Sequence, residues 1–104
     1  MAWHSVAKSA DLDDDEVIGV EVDGKEIAVY KLGGVYYATH NICTHEYACL
    51  SDGYIEGDRI ECPLHQGYFH IPTGKAQGAP VTEDIPTYPV KEEDGEILVD
   101  VPDK

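Results

Sequence analysis

Frequent breaks at glycine, proline and Asp-Gly pairs most constrain the fold of this 104-residue sequence. Between the breaks lie short stretches of alternating or β-branched and aromatic residues, at 17–22, 26–32, 35–40, 59–61, 67–71 and 96–101. Such stretches are typical of β-strands, and the intervening Asp23-Gly24 and Asp94-Gly95 pairs predict tight hairpin turns. No segment keeps the apolar spacing of an amphipathic helix, so the sequence predicts an all-β sandwich or small barrel.

The length and the amino-terminal region complete the fold prediction. A chain of 104 residues fits one domain around one hydrophobic core, and we find no internal repeat or linker. Trp3 is expected to belong to the core of the first strand, and residues 11–16 to form one irregular turn. The acidic run at residues 13–16 is interpreted as solvated and only weakly suggests a partner site.

The charge of the chain argues against several partners. Seven Lys and Arg face 21 Asp and Glu, which gives a formal net charge of −14. Scattered basic residues do not form a phosphate-binding patch, so we predict no nucleic-acid partner. The same charge argues against binding to an anionic membrane surface. A basic protein partner is compatible with it, although an acidic surface also serves solubility.

Cysteine usage and hydropathy predict the compartment. The first residues contain no apolar segment typical of a secretory signal, and nowhere do 18 apolar residues follow one another. Three cysteines, at positions 43, 49 and 62, are an odd number. Without a secretory signal this indicates a reducing compartment, where cysteine more often binds metal than forms disulfides. We therefore expect a cytoplasmic protein.

Two motifs within residues 41–82 carry the chemistry. The first is Cys43-Thr-His45 and the second is Cys62-Pro-Leu-His65. Two thiolates and two imidazoles can hold either a tetrahedral zinc ion or an iron–sulfur cluster. Zinc fingers usually pair cysteine with cysteine and histidine with histidine, whereas each loop here mixes the two. The mixture favours a two-iron cluster in which one iron takes both cysteines and the other takes both histidines.

These loops resemble the two cluster-binding loops of Rieske [2Fe–2S] proteins. The stretches around them are similar to soluble Rieske ferredoxins of bacterial aromatic-ring dioxygenases, at residues 38–43, 50–53, 60–63, 73–76, 79–82 and 87–90. The resemblance implies a single Rieske domain over residues 1–104, with an antiparallel β-sandwich base and a small inserted cluster-binding subdomain at about residues 41–82. It implies one [2Fe–2S] cluster per chain, held by Cys43, His45, Cys62 and His65.

The sequence departs from respiratory members of this family at two kinds of position: those of a disulfide between the loops and those that affect the reduction potential of the cluster. Those members carry one more cysteine in each loop, joined as a disulfide, whereas Ala48 and Leu64 stand in these places here. Cys49 is then interpreted as a small buried hydrophobe or a free thiol. Gly67 and Phe69 replace the serine and tyrosine that donate hydrogen bonds to the cluster sulfurs. Without these donors we predict a low reduction potential.

In the family both ligand histidines face solvent at the tip of the subdomain. The resemblance therefore implies that the electron leaves at His45 and His65. Their neighbours Glu46, Tyr47 and Gln66 are expected either to shape the docking face or to be solvated loop residues.

Further residues have weaker assignments. Pro80 resembles the family's proline that covers the cluster, with an ordinary turn as the alternative. Gly67 is expected to let the backbone approach the cluster, or to serve a simple turn. We expect structural roles for His4, His40 and His70, which lie outside both motifs.

The resemblance implies an electron carrier and not an enzyme. A low-potential Rieske ferredoxin of this kind takes one electron from a flavin-dependent reductase and passes it to a terminal aromatic-ring-hydroxylating oxygenase, and we expect a monomer. One alternative is the ferredoxin of a diiron aromatic monooxygenase. Another is the small subunit of an assimilatory nitrite reductase, although the presence of all four ligands counts against it. A structural zinc module is the third, and it would be colourless where a Rieske centre is brown.

Overall fold

The structure is a computed structural model that describes residues 3–42, 49–63, 67–77 and 84–101. Helical structure in these ranges consists of two 3₁₀ turns, at Ser9–Asp11 and Leu50–Asp52, so the all-β prediction is confirmed. The strands are β1 (Trp3–Lys8), β2 (Glu16–Val22), β3 (Lys25–Leu32), β4 (Val35–His40), β5 (Tyr54–Glu56), β6 (Arg59–Glu61), β7 (Tyr68–His70), β8 (Ala76–Gln77), β9 (Thr87–Tyr88), β10 (Val90–Glu93) and β11 (Glu96–Asp100).

The described strands form three antiparallel sheets. Their orders are β1-β11-β10, β2-β3-β4-β9 and β5-β6-β7-β8. The six predicted stretches are all strands, with ends that agree to within one residue, and the first strand expected around Trp3 is present as β1. The sequence did not predict β5, β8, β9 or β10, because the first three are too short to show a period and β10 is mostly charged.

β3 lies at the centre of the molecule and is buried on both faces. Residues 27–30 are four consecutive buried positions, where a strand with one solvated face would alternate. Ile27 and Val29 pack in one apolar cluster with Ile97 and Val99 of β11. On the other face, Ala28 and Tyr30 share a second cluster with β6 and β7. The sheet that contains β3 is therefore the middle of three layers.

Both predicted hairpin turns are confirmed. Asp23 and Gly24 have φ angles of 51° and 81°, and Asp94 and Gly95 have 54° and 80°. Two successive positive φ angles are typical of the type I′ turn, whose twist suits a two-residue hairpin connection. The first turn joins β2 to β3 and the second joins β10 to β11.

The prediction that Trp3 lies in the core is wrong. Its side chain is 36% exposed, and the ammonium group of Lys91 lies 4.5 Å from the centre of its ring. β1 is an edge strand that packs against the core through Val6 and Ala7, so the ring of Trp3 lies at the outer surface in contact with Lys91.

No helix in the described part of the chain has the length and apolar character to cross a membrane.

His70 has the structural role that was predicted for it. Its Nε2 atom lies 3.0 Å from Oδ2 of Asp58, and its Nδ1 atom lies 2.8 Å from Oγ1 of Thr73. Because Asp58 lies in the β5–β6 turn and Thr73 lies between β7 and β8, the imidazole links two neighbouring hairpins of the third sheet.

Candidate metal centre

Of the four predicted ligands, Cys62 is the one that the structure describes. Cys43, His45 and His65 lie outside the described residues, together with the other predicted loop residues Glu46, Tyr47, Ala48, Leu64, Gln66 and Pro80. Among the residues that are described, no group of three His, Cys, Asp or Glu side chains could hold a metal ion. The described residues do show where each predicted ligand loop begins and ends.

The first predicted ligand loop is closed at its neck by backbone pairing. Ile42 and Cys49 form an isolated antiparallel bridge on either side of residues 43–48. One residue further out on each side, the backbone N–H of Leu50 donates to the carbonyl oxygen of Asn41 over 2.7 Å. The side chain of Leu50 is completely buried. The two ends of the loop therefore leave the same point of the core.

The second predicted ligand loop continues the β6–β7 hairpin. Glu61 pairs with Tyr68, and the next residues inward are joined by a 2.8 Å hydrogen bond from the N–H of Cys62 to the carbonyl oxygen of Gly67. Cys62 and Gly67 are both buried. The hairpin register therefore places the buried Cys62 opposite Gly67, at the base of the segment that contains the predicted ligand His65.

One apolar cluster anchors both loops. Leu50 at the end of the first loop packs together with Cys62 and Phe69 at the two ends of the second. Ile85 follows residues 78–83, the segment that contains the predicted covering proline, and it belongs to the same cluster. Its backbone N–H donates to the carbonyl oxygen of Gly74 over 2.8 Å. Three segments predicted to surround the cluster thus start or end on the same side of the core.

The donor set and its surroundings fit a Rieske-type cluster. A thiolate in the apolar position of Cys62 is costly unless positive charge lies beside it. Two ferric ions, two sulfides and two thiolates sum to zero charge, and neutral imidazoles leave that sum unchanged. The cysteine side of such a cluster is thus compatible with the apolar wall that Leu50, Ile60 and Phe69 form here.

Phe69 and Cys49 bear on the predictions about potential and ligation. The ring of Phe69 is completely buried, and its backbone pairs with Ile60 on one side and Ala76 on the other. It offers no hydroxyl group toward Cys62. Cys49 is half-buried and forms no disulfide among the described residues, and its interpretation as a small buried hydrophobe or a free thiol stays a prediction.

Tyr68 lies beside the second loop on the outer face of the third sheet. The guanidinium group of Arg59 stacks 4.1 Å from the centre of its ring and forms a 3.0 Å ion pair with Glu56. Desolvation raises the pKa of Tyr68, and the carboxylates of Glu56 and Glu61 raise it further against the opposing effect of Arg59.

Asn41 and Ser51 at the neck of the first loop were not identified from the sequence. Their side chains are hydrogen-bonded to each other across the neck, and Gly19 of β2 lies against both. No sequence signal identifies this group, because its members are brought together only by the folding of β2 onto the Leu50–Asp52 turn.

The comparisons with known proteins agree with this geometry. A family model described as the Rieske [2Fe–2S] domain matches residues 2–89. The ferredoxin component of the naphthalene 1,2-dioxygenase system of Pseudomonas putida is 52% identical over 99 residues, which cover 95% of this chain and 95% of that protein.

Two solved structures have nearly the same fold. The Sphingomonas yanoikuyae B1 ferredoxin superposes with a TM-score of 0.91 at 40% identity, covering 97% of this chain and 100% of that one. The second match is a chain in the complex of reduced oxygenase and oxidized ferredoxin in carbazole 1,9a-dioxygenase. Its TM-score is 0.88 at 37% identity, with 93% of this chain and 91% of that chain covered.

Proposed function

We propose that this chain, which belongs to the Rieske [2Fe–2S] domain family, is the ferredoxin component of an aromatic-ring-hydroxylating dioxygenase system. It carries one electron between proteins and turns over no substrate itself. The similarity to a naphthalene dioxygenase ferredoxin over almost the full length of both chains supports this function. It also favours a dioxygenase over the diiron monooxygenase and the nitrite reductase as the partner system.

The structural observation that carries the proposal is the shared anchoring of the two predicted ligand loops. Leu50, Cys62 and Phe69 belong to one apolar cluster, although they flank loops far apart in the sequence. A cluster that takes one cysteine and one histidine from each loop requires such neighbouring necks. Two loops without a common ligand would not need to begin and end at the same apolar cluster.

The ligand set that we propose is Cys43 and Cys62 on one iron and His45 and His65 on the other. The cluster supplies a one-electron redox couple when it is bound. Cys62 would hold it from within the apolar cluster, where Leu50 and Phe69 pack around this cysteine and would keep water away. We propose that partner proteins exchange the electron through His45 and His65.

The partners in this proposal are a flavin-dependent reductase as electron donor and a terminal oxygenase as acceptor. The oxygenase is supported by the fold match to a ferredoxin chain that was solved together with an oxygenase. We further propose that the chain acts as a monomer in the cytoplasm. A net charge of −14 is suited to a partner surface rich in Lys and Arg.

Spectroscopy and reconstituted turnover test the proposal together. The purified protein should be brown, contain two irons per chain and show a Rieske-type paramagnetic resonance spectrum after reduction. Added to the naphthalene 1,2-dioxygenase oxygenase and its reductase, it should support product formation in place of their own ferredoxin. A colourless zinc protein would contradict the cofactor assignment. A brown protein that reduces only diiron monooxygenases would contradict the partner assignment.

A further inference from the structure

Asn41 is a buried polar residue placed two positions before the predicted ligand Cys43. Its side chain is only 2% exposed. Its backbone N–H donates to the carbonyl oxygen of Glu26 at the start of β3 over 2.9 Å, and its own carbonyl oxygen accepts from Leu50. The backbone of Asn41 thus joins the start of the first loop both to the central sheet and to the end of the same loop.

The side chain of Asn41 adds two more hydrogen bonds across the neck. Its Oδ1 atom accepts from the backbone N–H of Ser51 over 2.8 Å, and its Nδ2 atom donates to Oγ of Ser51 over 3.1 Å. The orientation of the amide follows from the first bond, because a backbone N–H can only donate. One side chain therefore satisfies both polar groups that Ser51 directs toward the neck.

Gly19 of β2 supports this pair from behind. A β-carbon at position 19 would lie 2.8 Å from Oγ of Ser51 and 2.9 Å from Nδ2 of Asn41, closer than real β-carbons approach. The absence of a side chain lets β2 pack directly on the hydrogen-bonded pair. The amide is consequently held between a regular strand and the Leu50–Asp52 turn, which leaves it little freedom to rearrange.

We propose that Asn41 is a positioning residue for the iron–sulfur site. By joining Asn41 to Ser51 on the two sides of residues 43–48, its amide fixes the base from which the segment with the proposed ligands Cys43 and His45 is built. The inference rests on the ligand set given under Proposed function. Groups behind metal ligands commonly control metal retention, because a ligand loop whose base moves no longer holds its donors in the required geometry.

Three variants separate positioning from general stabilisation. Asn41→Leu removes both side-chain hydrogen bonds at similar size. Asn41→Asp keeps an oxygen that accepts from the N–H of Ser51. The matched control is Thr39→Val, because Thr39 is equally buried and its hydroxyl bonds to Tyr30 over 2.8 Å, but it does not bridge the ends of a ligand loop.

The principal measurement is the rate of iron release to a chelator, at a temperature where circular dichroism shows every variant to be folded. We expect Asn41→Leu to release iron about 10- to 100-fold faster than the unmodified protein. Its reduced-state paramagnetic resonance spectrum should broaden. Asn41→Asp should stay closer to the unmodified protein than Asn41→Leu in both measurements, and Thr39→Val should match the unmodified protein.

Equal release rates for Asn41→Leu and Thr39→Val would overturn the positioning role, because a buried hydrogen bond in general would then explain the effect. Asn41→Asp releasing iron as fast as Asn41→Leu would also overturn it. If the unmodified protein instead lacked the Rieske-type spectrum, the ligand set itself would fail. That result is distinguishable, because it appears before any variant is made.

Discussion

Gly53 lies directly against the carbonyl oxygen of Glu61, and a β-carbon at position 53 would overlap that oxygen. Gly53 follows the 3₁₀ turn at the end of the first predicted ligand loop, and Glu61 immediately precedes Cys62. The contact therefore joins the exit of one loop to the entrance of the other. The φ angle of Gly53 is −89°, so the close approach and not the backbone conformation requires glycine here.

Substitution of this glycine should affect both stability and iron binding. We expect Gly53→Ala to lower the free energy of unfolding by about 1–3 kcal/mol, as overpacking does, and to lower the iron content. The matched control is Gly57→Ala, in the turn between β5 and β6. Position 57 has open space around it but a φ angle of 64°, so alanine there meets only backbone strain of about 1 kcal/mol. Urea unfolding and iron analysis of both variants would show whether the contact at Gly53 matters.

The assignment of the iron ligands can be tested by replacing single residues. His45→Cys or His65→Cys should perturb or abolish the mixed-ligand cluster, since an anionic thiolate replaces a neutral imidazole on one iron. Cys49→Ser should leave the cluster intact, because Cys49 forms the bridge with Ile42 at the loop neck and is not among the four proposed ligands. Iron content and paramagnetic resonance of the reduced proteins measure both effects. Cluster loss in Cys49→Ser would show that the assignment of ligands is wrong.

The reduction potential should lie at the low end of the Rieske range, about −150 mV. Phe69 is buried with Cys62 and has no hydroxyl to donate, so the added negative charge of the reduced state is less stabilised. We expect the potential to be almost independent of pH near neutrality. Phe69→Tyr should raise it by supplying a donor. Redox titrations at several pH values test this, and a midpoint well above zero would refute it.

Burial raises the pKa of Tyr30 well above its ordinary value of 10.0, against the effect of its hydrogen bond to Thr39. The unfolded chain releases this proton near pH 10, whereas the folded protein retains it. The stability contribution of the neutral phenol is therefore complete below about pH 10 and declines as the pH rises further. Urea unfolding at about pH 8 and about pH 11 should show this loss.

Tyr30→Phe should reduce the alkaline loss of stability, because it removes the buried ionisable group. At neutral pH we expect this variant to have a free energy of unfolding lower by about 1 kcal/mol, because the hydrogen bond to Thr39 is lost. Tyr54→Phe removes a phenol that is 66% exposed, and it serves as the control. An unchanged pH dependence in Tyr30→Phe would mean that other groups cause the alkaline loss.

If charge steers docking to the oxygenase, two charge reversals should slow the reduction of the oxygenase to different extents. Glu46→Lys, beside the predicted ligand His45, should slow reduction of the oxygenase more than Asp14→Lys does, with the cluster spectrum unchanged in both. Because Oδ1 of Asp14 accepts a 2.9 Å hydrogen bond from the N–H of Gly34, Asp13→Lys is a second control that keeps this bond. Stopped-flow rates should also fall with ionic strength. Equal rates in all variants without salt dependence would leave the acidic surface no role in recognition.

The sequence alone predicted the longer strands, both Asp-Gly turns and the family. These features are local: the residue pattern of 17–22 and 26–32 and the chemistry of a two-residue turn act over a few neighbouring positions. The paired motifs are equally local, since Cys62 and His65 lie within four residues of each other. Their assignment as ligands therefore depends on spacing and family resemblance, and it stays a prediction.

Only the tertiary structure decided which surfaces these local elements bury. β3 has a continuous apolar run because a sheet packs on each of its faces, and Trp3 is exposed because β1 uses other residues to contact the core. The pairing of Asn41 with Ser51 and the contact of Gly53 with Glu61 join residues from separate elements. A single sequence carries no signal for such contacts, because they depend on how distant segments are brought together when the three sheets pack.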